Sequence, residues 1–69
     1  MRLHYYPDTD SLYIALAERP CTDSREIAPG IVIDLDRDGL PVGLDIDHAS
    51  RSLDLSRLET AGWPVPPVK

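Results

Sequence analysis

Apolar residues alternate with polar ones in several short runs, and this period of two restricts the chain to a β-sheet. Leu3 and Tyr5 share one face of a first run, Leu12, Ile14 and Leu16 of a second, Ile31, Ile33 and Leu35 of a third, and Val42, Leu44 and Ile46 of a fourth. Successive side chains of a strand point to opposite faces, so each set marks one side of its strand. The turn formers Pro7-Asp8-Thr9-Asp10 and Asp36-Arg37-Asp38-Gly39 join the first and the last pair into hairpins. Between the pairs, residues 17–29 are polar and read as a longer connection, with Pro29-Gly30 at the entry to the third strand.

The apolar sets fix the register, because opposed residues in a hairpin have position numbers of constant sum. Tyr5 opposite Leu12 brings Leu3 opposite Ile14. Leu35 opposite Val42 brings Ile33 opposite Leu44 and Ile31 opposite Ile46. This second register closes on a two-residue Asp38-Gly39 turn, or on a four-residue turn of the same parity. Pro41 then falls at a non-hydrogen-bonded site, which marks that end of the fourth strand as an edge.

After Ile46 the period changes. Leu55, Leu58 and Ala61 or Gly62 recur at helical spacing, with Ser56–Glu59 in capping-box form and Asp54 as an alternative N-cap. Gly62 and Pro64 stop the helix, and Trp63 is placed as a lid at its end. The expected fold class is α+β: a four-stranded, mainly antiparallel sheet of two β-hairpins, with a short C-terminal helix packed on one face. Leu3, Tyr5, Leu12, Ile14, Ile31, Ile33, Leu35, Val42, Leu44, Ile46, Leu55 and Leu58 form the expected core. Residues 1–62 make a single domain and 63–69 a Pro-rich, extended tail.

A chain of 69 residues has room for one small core, and such domains often lean on a disulfide, a metal or self-association. An internal disulfide is excluded, since Cys21 is the only cysteine; a lone thiol fits the reducing cytoplasm. No run approaches the roughly 18 apolar residues of a membrane span, and the first residues lack a signal-peptide core. Twelve acidic against seven basic side chains give a formal charge of -5. That charge disfavours nucleic acid and favours a basic protein partner.

Three segments carry a family resemblance. They are Tyr5-Tyr6-Pro7-Asp8-Thr9-Asp10-Ser11-Leu12-Tyr13-Ile14, the stretch Pro29 to Asp36 with Asp38-Gly39, and Val42-Gly43-Leu44-Asp45-Ile46-Asp47-His48-Ala49-Ser50. In this order they resemble the domain-of-unknown-function family 2283, over about Leu3 to Ser50. Asp45 stands where that family more often has Glu. The resemblance implies a small bacterial protein with no established activity and an antitoxin-like role; it brings no catalytic residues.

Chemistry is sparse. Asp34-Leu35-Asp36-Arg37-Asp38-Gly39, with Asp45 further on, has the spacing of a calcium loop. Asp34, Asp36, Asp38 and Asp45 are therefore the ligands of an alternative, metal-binding reading. Against it, β-branched Ile31-Val32-Ile33 stands where the helix of a calcium hand belongs. Asp47, His48 and Ser50 suit a second alternative, a small hydrolase, but lie too close in sequence for a triad drawn from separate segments. His4 and His48 lack further zinc ligands. The second sheet face carries His4, Tyr6, Tyr13, Ala15 and Val32 beside Asp34 and Asp45. Tyrosines suit interfaces, so Tyr6, Tyr13, Ala15 and Val32 are the candidate partner-binding residues. Pro64-x-x-Pro67-x-Lys69 has only the outline of a polyproline ligand. The leading expectation is a non-enzymatic protein-binding module without a cofactor, acting as a homodimer or as the partner of a basic protein.

Overall fold

A computed structural model describes residues 1–64. The strands are β1 (Arg2–Tyr6), β2 (Ser11–Ala15), β3 (Asp23–Ala28), β4 (Ile31–Leu35) and β5 (Pro41–Ile46), followed by a single helical turn, α1 (Ala49–Ser52). They form one five-stranded antiparallel sheet in the order β1-β2-β5-β4-β3. The α+β class holds, and the strand count is five rather than four. The addition is β3, inside the segment expected to be a connection. It pairs with β4 from Asp23 opposite Leu35 to Ala28 opposite Ile31. Its sequence Asp-Ser-Arg-Glu-Ile-Ala has no apolar alternation, because an edge strand need not bury a face.

Both hairpin registers follow the apolar sets. Leu3 faces Ile14 and Tyr5 faces Leu12; Ile33 faces Leu44 and Ile31 faces Ile46. The second hairpin differs at its tip. Leu35 faces Pro41, not Val42, and the register shifts between Asp34 and Leu35. The loop is Arg37-Asp38-Gly39: Asp36 N donates to Leu40 O at 2.9 Å and Gly39 N to Asp36 O at 3.0 Å. Gly39 takes φ 80, which closes a type I turn without a Cβ penalty. An odd loop reverses the parity, and a bulge at Val42 restores it, so the apolar side chains beyond still share a face. Pro41 lies past the end of the β2–β5 pairing, where its carbonyl accepts from Arg19 Nη2 at 3.2 Å.

The two hairpins join through β2 and β5, with Leu12 opposite Ile46 and Ile14 opposite Leu44. The apolar face thus runs across β1, β2, β5 and β4. Its packed centre is Leu12, Ile46 and Ala49, flanked by Ile14, Ile31 and Leu44. Val42 is buried as well.

No helix forms over Leu55 to Gly62. The short α1 lies upstream, with Ala49 buried beneath it, and its N-terminus is held by Asp10 rather than by its own cap. Leu55 and Leu58 are exposed, as are Leu3 and Tyr5, so these members of the expected core lie outside it. Trp63 is 52% exposed and covers nothing as a lid. The polyproline outline runs past the described residues after Pro64. Among the described residues no helix is long and apolar enough to cross a membrane.

Candidate functional site

The apolar face is left open. Where the spacing predicts a cover helix, segment 53–58 is irregular. Between this segment and the sheet lies a groove of about 620 Å³ lined by Leu3, Tyr5, Leu12, Ile14, Leu53, Leu55 and Leu58, with Asp54 and Arg57 at its rim. Tyr5, Leu53 and Leu55 are about two-fifths exposed and Leu58 is 75% exposed. Exposed apolar side chains are thus gathered on one side of the protein.

The other face is polar and internally tied. Tyr13 lies across Gly43: a Cβ on Gly43 would fall 1.9 Å from the tyrosine oxygen and 2.6 Å from Cζ. The ring thereby spans β5 and donates its hydroxyl to Asp34 Oδ2 at 3.0 Å. Ser24 Oγ donates to Asp34 Oδ1 at 2.7 Å. Burial raises the pKa of Tyr13, with the Asp34 hydrogen bond adding to it. Of the expected contact residues, Tyr13 and Val32 flank Asp45 across the sheet, and Ala15 stands opposite Gly43. Tyr6 lies apart at the far end of β1, its ring tilted against that of His4 with centroids 4.2 Å apart. Tyr6 is exposed, while Tyr13, Ala15 and Val32 are half-buried.

The four aspartates of the calcium-loop spacing are not brought together. Asp34 is engaged by Tyr13 and Ser24 on the polar face. Asp36 is buried at the hairpin tip, accepting from Asp38 N at 2.8 Å, Leu40 N at 2.9 Å and Arg19 Nε at 2.6 Å. The Leu40 amide, then Arg19, hold its carboxyl below the usual range. Asp38 lends the loop its backbone amide, and Asp45 sits in mid-strand. Among the described residues no group of three or more His, Cys, Asp or Glu side chains is arranged to hold a metal ion.

Asp47, His48 and Ser50 are also placed separately. Asp47 accepts from Ser11 Oγ at 3.4 Å, and Ser50 Oγ donates to Asp10 Oδ2 at 2.7 Å. His48 occupies the left-handed region at φ 51. Asp10, which sequence reading treated only as a turn residue, is the hub here. Its carboxylate accepts from Tyr5 Oη at 2.6 Å and from the Ser50 amide, and its carbonyl accepts from Ala49 N at 2.9 Å. The Tyr5 bond, then those of Ser50, lower its pKa. Asp10 thus pins the β1–β2 turn to α1. No local pattern announces a latch between groups so distant in sequence. Cys21 is exposed, its thiol donating to Asp23 O at 3.4 Å.

Asp45 titrates in the opposite sense. Asp45 is exposed, and partial desolvation, then the charges of Asp47 and Asp34, raise its pKa above the ordinary value of about 3.9. A carboxylate whose folded value exceeds its unfolded one opposes folding once ionised, and the penalty vanishes below the unfolded value. Asp45→Asn is therefore expected to raise the thermal midpoint near neutral pH and to leave it unchanged at about pH 3. Melting curves of both proteins across this range check it; an equal gain at both ends would remove the electrostatic explanation.

No curated protein and no solved structure matches the chain. The alternating strands, the acidic turns and the segment through Ser50 do fit a family model, that of the protein of unknown function DUF2283, over residues 2–50, and the chain belongs to this family.

Proposed function

We propose that this chain is a non-enzymatic protein-binding module that seats an apolar segment of a basic partner protein against its sheet, an antitoxin-like role. The supporting observation is the open groove between the apolar face and segment 53–58, where Leu3, Tyr5, Leu55 and Leu58 remain in water. A partner filling that groove supplies a cover that the described residues do not. Burial of apolar surface is worth roughly 25 cal/mol per Å², so each leucine covered adds appreciably to affinity. The formal charge of -5 favours a basic partner and speeds its approach. The polar face is the weaker contact, because Tyr13 already spends its hydroxyl on Asp34. We place the module in the cytoplasm, a reading supported by the free thiol of Cys21.

The test uses the free protein and its extract. A fluorescent hydrophobic dye is expected to bind the wild type and to lose most of its enhancement with Leu55→Asp and Leu58→Asp. Crosslinking in native cell extract is expected to yield a basic protein that those two variants lose and Arg51→Ala keeps. Capture that ignores both leucine variants would sink the groove as the docking site.

A further inference from the structure

The sheet has two edges, and only one is guarded. Edge strands offer unpaired N–H and C=O groups to other chains, and charges, bulges or prolines commonly protect them. β3 carries such protection: Asp23, Arg25 and Glu26 line it, and its register breaks between Glu26 and Ala28. β1 does not. It is Arg2-Leu3-His4-Tyr5-Tyr6, without proline, paired to β2 in unbroken register, and all of its residues are exposed. Leu3 and Tyr5 lie on the apolar face, while Arg2, His4 and Tyr6 lie on the other.

We propose that β1 pairs antiparallel with β1 of a second copy, joining the two sheets into one continuous sheet about a two-fold axis at His4. Symmetry and parity select this register. A two-fold axis perpendicular to the sheet keeps like faces together, so opposed residues must have position numbers of even sum. Centring on His4 pairs the whole strand: Leu3 with Tyr5 of the second copy, and Arg2 with Tyr6. The apolar stripe then continues across the axis through Leu3 and Tyr5. The guanidinium of Arg2 meets an aromatic ring instead of its own like charge. The same stacking on β3 would put a bulge and several charges at the junction. This pairing goes beyond the groove reading, since it is made by backbone edges, with Leu3 and Tyr5 standing at both the seam and the groove.

The experiment is sedimentation velocity of the full chain at micromolar to high micromolar concentration, with far-UV circular dichroism confirming the fold of each variant. The wild type is expected to be a dimer. His4→Glu and His4→Lys each place like charges directly across the axis, which weakens cross-strand pairing. Each alone is expected to be monomeric, or at least about tenfold weaker in association, a change of roughly 1.4 kcal/mol. An equal mixture of the two is expected to recover the dimer, because Glu then faces Lys. A monomeric wild type overturns the proposal, as does a dimer untouched by both His4 variants. Dimer loss with Leu55→Asp but not with His4→Glu would assign self-association to the groove face and overturn edge pairing. Loss of partner capture with the dimer intact would instead remove only the groove reading.

Discussion

Ile46→Ala is expected to cost about 2–5 kcal/mol, the usual range for emptying a packed aliphatic site. Ile46 is 4% exposed and belongs to the packed centre with Leu12 and Ala49. It lies on the central strand, facing Leu12 on one side and Ile31 on the other. Its loss therefore opens a cavity that neither hairpin can close alone. At roughly 0.05–0.15 kcal/mol per residue, a chain of this length has only about 3–10 kcal/mol in total. With so few buried side chains this protein belongs near the lower end, and the variant should be largely unfolded at room temperature. Leu58→Ala, at a site 75% exposed, should stay within about 0.5 kcal/mol of wild type. Urea titrations followed by far-UV circular dichroism compare the two. Equal costs at both sites would mean that segment 53–58 shares the core after all.

Gly43→Ala is the second large effect, and its sign depends on a neighbour. The new Cβ cannot coexist with Tyr13, whose ring end occupies the same space. Tyrosine has few rotamers with which to escape, so the ring must swing off the strand and release Asp34. We expect a loss of about 2 kcal/mol, the scale of a hydrogen bond to a charged acceptor. In a Tyr13→Ala background the obstacle is gone. There the same substitution is expected to stabilise by roughly 0.5–1 kcal/mol, since alanine loses less backbone freedom than glycine in a strand. A double-mutant cycle from four urea titrations reads this coupling directly. Additive costs would show that the ring does not depend on the missing side chain.

The strands that could be read in the sequence are those with a face to bury. Ile31, Ile33, Leu44 and Ile46 declare both their strands and their mutual register because each must point inward. β3 stays hidden since Asp23, Arg25 and Glu26 serve an edge, where polarity is protective rather than a sign of a loop. The bulge at Val42 is also invisible: an odd loop plus one extra residue leaves the same faces matched as an even loop. Leu55, Leu58 and Ala61 do have helical spacing, but so short a span needs packing to hold it, and all three are exposed. The candidate site was half legible. The apolar stripe is legible in the alternation of Leu3, Tyr5, Leu12 and Ile14, whereas its exposure is not, because Leu55 and Leu58 have the spacing of a helix that would cover it. Tyr13 and Gly43 carry a faint signal, a glycine inside a strand where another group approaches.

The position of β5 bears on how the protein is made. It is the last of the described strands yet the middle strand of the sheet, and its pairing with β2 and β4 joins the β1–β2 ribbon to the β3–β4 ribbon. Until Ile46 has left the ribosome, the nascent chain has no more than separate two-stranded ribbons, which are marginal in water. Cooperative closure waits on Leu12 finding Ile46 across about half of the sequence, a non-local step of the kind that slows folding. During that wait the unguarded β1 and the apolar stripes are all accessible, so the interval of synthesis is when a partner or a chaperone meets this chain at its most adhesive.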